Sequence, residues 1–221
     1  MVKAVIFDWD GTLADTKKAV VRSFQKVLVE AGCVISDEFI ERRMGIGTRK
    51  TIEEALKDCN VRFDDTMLEN LAAEKIRIQA RLTNIVSLFD GAIELLEELQ
   101  GRIKIALETM SSQKVVAKLL SEKRIGGYFD VVVSADEIFS PKPDPEVFFV
   151  SAARLGVAPE DCVVVEDSVF GVRAAKAAEM KCIAVSSGAY SREELQEENP
   201  DLMINSLVEK ERILHFVFGS M

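Results

Sequence analysis

The sequence predicts an α/β fold in which a parallel β-sheet, flanked by helices, is split near its start by an α-helical insertion. From residue 84 onward, short apolar runs alternate with helical patterns, which is typical of parallel strands joined by helices. Between residues 16 and 83 the pattern is helical only, with apolar side chains at three- and four-residue spacing such as Val20, Phe24 and Val27. One strand precedes this stretch and the others follow it, so two separate parts of the chain build the expected sheet.

Each core strand is predicted from a short apolar run of the length usual for a buried strand. The expected strands lie at about residues 3–8, 103–108, 130–134, 162–166 and 182–186, with a short sixth at 202–204. The chain therefore divides into a first core part at residues 1–15, a helical insertion at 16–83 and a second core part at 84–221.

Two carboxylates follow the first strand directly. The apolar run 4–7 leads into Asp8, and Asp10 and Gly11 come next, where the backbone turns and lets both acids converge. Like charges disfavour joint ionisation unless a cation or a shared proton relieves them, and Mg²⁺ prefers carboxylate and carbonyl oxygens. Taken alone, the pair is equally consistent with a polar strand end followed by a turn.

Three further polar clusters follow the ends of later apolar runs. Thr109 lies after the second strand, Lys142 stands among the prolines of residues 140–145, and Glu166 and Asp167 follow the run at 162–165. Because the carboxyl ends of parallel strands meet at one edge of the sheet, we expect these groups to surround Asp8.

This order of motifs resembles the haloacid dehalogenase superfamily, whose four motifs correspond here to residues 8–12, Thr109, Lys142 and 166–167. Within it, residues 140–148 and 166–172 are most similar to the phosphoglycolate phosphatase and β-phosphoglucomutase branch. The resemblance implies a Rossmann-like core and identifies the helical insertion as a cap domain. An acid at the position of Asp10 goes with phosphoryl transfer rather than dehalogenation.

The resemblance implies a phosphatase that hydrolyses a small phosphorylated metabolite, such as phosphoglycolate or a sugar phosphate, through an aspartyl-phosphate (phosphoaspartate) intermediate. Asp8 is then the nucleophile, and Asp10 protonates the leaving group and later accepts a proton from water. Thr109 and Lys142 bind phosphoryl oxygens, and Lys142 also offsets the charge of the carboxylates.

The same resemblance implies a Mg²⁺ cofactor. Its ligands would be the Asp8 carboxylate, the backbone carbonyl of Asp10 and Asp167, while Glu166 would bind the ion directly or support another ligand.

Substrate specificity is expected to come from the cap. Residues 44–50 resemble a substrate-specificity loop, in which Arg49 or Lys50 could bind a second anionic group; equally, these cations could simply begin the helix predicted at 51–57. The residues predicted to contact substrate are Gly11, Thr12, Gly45, Arg49, Lys50, Thr109, Met110 and Lys142.

Two other functions stay open at this point: a sugar-phosphate mutase and a catalytically silent binding protein of the same fold. The only histidine, His215, lies outside the cap, which disfavours a mutase that uses a cap histidine. A silent protein is disfavoured because it has no chemical need for the full set of motif residues.

Composition and charge limit the classes of partner and the cellular compartment that we expect for this protein. A formal net charge of −9 argues against nucleic acid, and no apolar run reaches the length of about 20 residues that spans a bilayer. The chain begins directly with a strand pattern and shows no signal peptide, so we expect a cytoplasmic protein. The four cysteines, Cys33, Cys59, Cys162 and Cys182, are expected to be free thiols. The oligomeric state is not predicted.

Overall fold

A six-stranded parallel sheet forms the centre of the computed structural model, which describes residues 1–219. The last two residues of the predicted core part 84–221 lie outside the described residues. The strands are β1 (Ala4–Asp8), β2 (Ala14–Asp15), β3 (Ser87–Leu88), β4 (Lys104–Glu108), β5 (Val131–Val133), β6 (Cys162–Glu166), β7 (Lys181–Val185) and β8 (Leu202–Ile204). The sheet order is β5-β4-β1-β6-β7-β8, so β1 lies between β4 and β6 and all six predicted core strands are confirmed.

Helices cover both faces of this sheet and form the insertion. They are α1 (Lys17–Glu30), α2 (Asp37–Glu41), α3 (Thr48–Asp58), α4 (Asp65–Gln79), α5 (Ala92–Leu99), α6 (Gln113–Lys123), α7 (Glu146–Leu155), α8 (Val169–Ala177), α9 (Arg192–Glu197) and α10 (Lys210–Phe218). Among residues 1–219, none of these helices is long and apolar enough to cross a membrane.

Strand β1 is buried on both faces of the sheet. Val5 and Phe7 pack into one hydrophobic cluster, and Ala4 and Ile6 pack into the other. Because successive side chains of a strand point to opposite faces, an uninterrupted apolar run satisfies both clusters. The register then ends with Asp8 opposite Glu108, and this places two acids side by side at the carboxyl edge.

Helices α1 to α4 pack around a hydrophobic cluster of their own, which includes Phe24, Leu28, Ile52 and Leu56. The helical insertion of the predicted α/β fold is therefore present. Strands β2 and β3, where the chain enters and leaves this bundle, pair with each other as a two-stranded antiparallel sheet. The sequence did not predict this pair, because two-residue strands are too short to show an alternating pattern.

The prediction of four free thiols is wrong for two of the cysteines. Cys33, after α1, and Cys59, after α3, form a disulfide with a Cα–Cα distance of 5.4 Å. The packing of α1 against α3 brings the two residues together across 26 positions of sequence, a separation that carries no local signal. Cys162 and Cys182 are free and buried.

Candidate active site

Lys142 is the centre of a buried ionic cluster at the carboxyl edge of the sheet. Its Nζ donates to Asp8 Oδ1 at 2.8 Å, to Glu108 Oε1 at 2.5 Å and to Glu166 Oε1 at 2.5 Å. The three carboxylates come from the ends of β1, β4 and β6, and the lysine comes from the loop between β5 and α7. All three ammonium hydrogens are therefore committed to carboxylates, and none is left for a phosphoryl oxygen in this arrangement.

The charges of this cluster are strongly coupled. Burial raises the pKa of Asp8 well above its ordinary value, although Lys142 opposes that shift. Burial likewise raises the pKa of Glu108 to about 7. Burial disfavours the charge of Lys142, but Asp8, Glu108 and Glu166 together hold its pKa well above 10.5. One ammonium facing three carboxylates leaves an excess of negative charge, which favours an additional cation.

Glu166 is held by hydrogen bonds to both of its oxygens. Oε1 accepts from Lys142, and Oε2 accepts from the backbone N–H groups of Asp167 and Ser168 and from the Ser168 hydroxyl. Because both oxygens of Glu166 are already hydrogen-bonded, neither is free to bind a metal ion. This geometry favours the expectation that Glu166 supports another ligand over the expectation that it binds the ion directly.

Gly171, in the first turn of α8, makes room for the Glu166 carboxylate. A Cβ at position 171 would lie 1.7 Å from Glu166 Oε1 and 1.9 Å from its carboxyl carbon. The absence of a side chain at Gly171 therefore allows the Glu166 carboxylate to occupy its position beside Lys142.

We expect Gly171→Ala to displace Glu166 from Lys142 and to lower catalytic turnover at this site by about tenfold or more. The free energy of unfolding, measured in urea, should fall by about 1–3 kcal/mol because the buried methyl has no space. Gly127→Ala is the matched control, since a Cβ there meets no atom within 4 Å. Activity equal to that of the control would contradict this role.

Asp167 lies between two glycines beside a small cavity. A Cβ at Gly11 would lie 2.3 Å from Asp167 Oδ2, and one at Gly188 would lie 1.7 Å from it. Thr12 Oγ1 donates to Asp167 Oδ1 at 2.9 Å. A cavity of about 20 Å³, room for one water or small ion, adjoins Asp167, Gly11 and Gly188. The loop at Gly188, which follows β7, thus shapes the site.

The residues present fit a divalent cation. Asp8, Glu108 and Glu166 offer carboxylate oxygens that converge on one point, but the Lys142 ammonium already occupies that point. Asp8 Oδ2 is buried and has no hydrogen-bond partner among residues 1–219. Burial raises the pKa of Asp167 well above its ordinary value, and the neighbouring Glu166 adds to the shift, so a nearby cation would favour the charged form. Asp8 Oδ2 and Asp167 are therefore carboxylates that could hold a divalent cation.

Asp10 is oriented by two hydroxyl groups. Its Oδ2 accepts from Thr109 Oγ1 at 2.7 Å and from Ser111 Oγ at 2.9 Å, while Oδ1 has no partner among the described residues. Ser111 was not among the predicted site residues. The Thr109 hydroxyl, expected to bind phosphate, here donates to Asp10 and accepts from the Ser111 backbone N–H at 2.9 Å.

A cavity of about 30 Å³ lies between Asp10 and the helices of the insertion. Predicted residues Gly45 and Met110 line it, and so does Lys75 from α4, which is not among the predicted site residues. Lys75 is 3% exposed; its Nζ donates to Gln79 Oε1 at 2.6 Å and lies 4.4 Å from the centre of the Phe24 ring. Burial lowers the pKa of Lys75 to about 8.

Arg49 and Lys50, predicted to reach the substrate, do not line the cavity that contains Asp10. They lie at the start of α3 along a neighbouring groove, and Arg49 pairs with Asp65 at 2.5 Å. Both side chains are exposed, and the cations that line the cavity of Asp10 are Lys75 and Arg43. Arg43 is paired with Glu54 at 2.7 Å, whereas Lys75 has only neutral polar partners. Position in sequence could have indicated Lys75, because it interrupts the apolar stripe of Leu68, Ala72 and Ile78 on α4.

The helical insertion is held against the core on the side of the cavity beside Asp167. The Tyr190 hydroxyl donates to the Arg42 carbonyl oxygen at 2.5 Å, and the Arg42 guanidinium pairs with Glu194 at 2.6 Å. The same guanidinium lies 4.7 Å from the centre of the Tyr190 ring. These contacts join α2 to the loop and helix after β7.

An acidic nucleophile site at the carboxyl edge of a parallel sheet, covered by a helical insertion, defines a class of phosphoryl-transfer enzymes. Residues 5–185 match the family described as haloacid dehalogenase-like hydrolase, and the chain belongs to this family. A phosphorylated carbohydrates phosphatase of Thermotoga maritima is 32% identical over 179 residues, covering 80% of this chain and 82% of that protein.

Two further comparisons agree with this family. A phosphoglycolate phosphatase of Pseudomonas savastanoi pv. phaseolicola is 31% identical over 209 residues, covering 93% of this chain and 77% of that protein. The crystal structure of a β-phosphoglucomutase from Clostridium difficile has a TM-score of 0.84 and 27% identity, covering 97% of this chain and 100% of that one. The protein is thus a phosphoric monoester hydrolase of the haloacid dehalogenase-like family.

Proposed function

We propose that this protein is a Mg²⁺-dependent phosphatase that hydrolyses a small phosphorylated metabolite through an aspartyl-phosphate at Asp8. The observation that carries the proposal is the state of the Asp8 carboxylate: Lys142 holds Oδ1 at 2.8 Å, and Oδ2 is buried without a partner. A carboxylate fixed through one oxygen and free at the other is suited to attack phosphorus and to bind a cation.

Asp10 is the proposed general acid and base. Thr109 and Ser111 fix its Oδ2, and its free Oδ1 faces no other described donor, so this oxygen is available to carry a proton to the leaving group. On the second step the same oxygen would accept a proton from the attacking water. The hydroxyls of Thr109 and Ser111 can turn from Asp10 toward a phosphoryl oxygen when substrate is bound.

Asp8, Asp167 and the Asp10 carbonyl are the proposed ligands of Mg²⁺. Thr12 and the two glycines beside Asp167 hold that carboxylate in place. When bound, the ion would neutralise charge on the transferring phosphoryl group. Lys142 would keep Glu108 and Glu166 from repelling Asp8 out of position.

We propose that residues 16–83 act as a cap that closes over the substrate, with core parts at 1–15 and from 84 onward. The cavity of about 30 Å³ beside Asp10 is lined from this insertion by two cations, Lys75 and Arg43, and Arg43 is already paired with Glu54. A buried ammonium with only neutral polar partners favours a substrate that carries a second anionic group. A carboxylate or second phosphate on the leaving group meets this requirement.

A phosphate-release screen tests the proposed function. Phosphoglycolate, sugar phosphates, nucleotides and pyrophosphate would each be assayed with Mg²⁺ and with the metal chelated. We expect turnover of small phosphorylated metabolites only when Mg²⁺ is present. Conversion of a β-hexose 1-phosphate into the 6-phosphate, without release of phosphate, would instead establish the mutase.

Lys75→Met should raise KM for phosphoglycolate about 10- to 100-fold and change KM for phenyl phosphate much less, because only the first substrate has a second anionic group. Lys50→Met, a change on the cap surface, is the control and should leave both values close to wild type. Equal losses on both substrates would contradict recognition of the second anion by Lys75.

The same substitution should stabilise the free protein at neutral pH. The pKa of Lys75 is about 8 in the folded protein and 10.5 for an ordinary, solvated lysine, so the unfolded chain binds the Lys75 proton more tightly. The cost of burying the charge is present in full below pH 8 and shrinks as pH rises toward 10.5. Urea unfolding should therefore show Lys75→Met to be more stable by about 1–3 kcal/mol at pH 7, with the difference decreasing above pH 8.

A further inference from the structure

Glu108 is a third carboxylate on the site lysine, and the proposed mechanism gives it no role. It is fully buried at the end of β4, in register with Asp8 on the neighbouring strand. Its Oε1 accepts from Lys142 at 2.5 Å, while Oε2 is buried without a partner among residues 1–219. It does not line the cavity that contains Asp10.

The position of Glu108 sets the balance of charge around Asp8. With Glu108, three carboxylates face the single Lys142 ammonium; without it, two would do so. Glu108 also takes one of the three ammonium hydrogens, which fixes the direction of the lysine head group. A buried negative charge acts on its neighbours through a low local dielectric, so its effect on nearby ions is large.

We propose that Glu108 is a positioning residue that strengthens binding of the divalent cation and promotes release of inorganic phosphate. It acts by holding Lys142 and by keeping the cluster around Asp8 net negative. Added negative charge favours a cation and disfavours a phosphate anion, so the two affinities must move in opposite directions. This inference rests on the proposed metal-dependent phosphatase function.

Calorimetric titration of purified protein with MgCl₂ is the first test, made at about pH 8.5, where the carboxylate is ionised. Glu108→Gln keeps the shape of the side chain and removes its charge. We expect it to weaken Mg²⁺ binding by about tenfold. Titration of the Mg²⁺-saturated protein with inorganic phosphate should show tighter binding than wild type by a similar factor.

Two matched variants separate charge from structure. Glu108→Asp retains the charge and should restore Mg²⁺ affinity most of the way to wild type. Glu94→Gln, at an exposed position of α5, removes one negative charge far from the site and should change neither affinity.

Opposite shifts of the two affinities in Glu108→Gln would support the inference. Unchanged affinities would overturn it, and so would a loss of both, since a merely disturbed site binds cation and anion less well. If Glu108→Gln does not fold, Mg²⁺ affinity in Glu108→Asp decides: a loss of tenfold or more would overturn the inference. A wild-type protein that binds no Mg²⁺ and releases no phosphate in the screen would refute the proposed function itself.

Discussion

Asp8→Asn should abolish turnover while leaving the fold intact. The amide keeps the size of the carboxylate but is not a nucleophile, and it loses the negative charge that a cation requires. We expect kcat to fall by more than about 10⁴-fold, a rise of more than about 5.4 kcal/mol in the barrier. Phosphate release, followed with the best substrate of the screen, measures this loss.

The folded state should tolerate this change well. Removing one of three carboxylates around Lys142 leaves two, which still outnumber the ammonium, so the free energy of unfolding should not fall by more than about 1 kcal/mol. Asp58→Asn, at an exposed position of α3, provides the control for activity and stability. Residual turnover within about tenfold of wild type would sink the covalent mechanism.

Lys142→Met should have the largest effect on stability. The substitution leaves Asp8, Glu108 and Glu166 buried together with no opposite charge, and breaking a buried ion pair in this way costs about 3–5 kcal/mol. Urea unfolding at neutral pH measures the loss. Lys114→Met, an exposed lysine on α6, should change stability by less than about 0.5 kcal/mol.

The loss in Lys142→Met should depend on pH in a definite direction. Burial already raises the pKa of Asp8 and Glu108 in the folded wild type, and removal of Lys142 raises both further. The folded variant then binds these protons more tightly than the unfolded chain, so its stability must increase as the pH falls through the folded pKa values. We expect a smaller deficit at about pH 5 than at about pH 8. A deficit independent of pH would show that packing, rather than charge, causes the loss.

The core of the fold and the location of the site were predictable because each depends on short stretches of sequence. A short apolar run such as residues 4–7 predicts a buried strand, and the carboxyl ends of parallel strands lie at the same edge of the sheet. The side chains of Asp8 and Glu166 therefore lie in contact with Lys142, although the three residues come from distant parts of the chain.

Other features depend on packing between elements and left little local trace. Lys75 interrupts the apolar stripe of α4, but only the packing of α1 against α4 shows that Phe24 covers it. Glu108 directly precedes Thr109 in the sequence, but its bond to Lys142 follows from the register of β1 and β4. The disulfide of Cys33 with Cys59 likewise requires knowledge of how α1 and α3 pack.

The pairing of β2 with β3 has a consequence for how the cap can move. Both crossings between core and cap run side by side, and Ala14 is bonded opposite Leu88. Sliding one crossing past the other would break this pair, whereas bending both as one ribbon preserves it. We therefore expect the proposed cap to rotate about this ribbon as about one hinge, and not to move on two independent tethers. Substrate binding would then fix a single angle, so that little of its binding energy would be lost to ordering the protein.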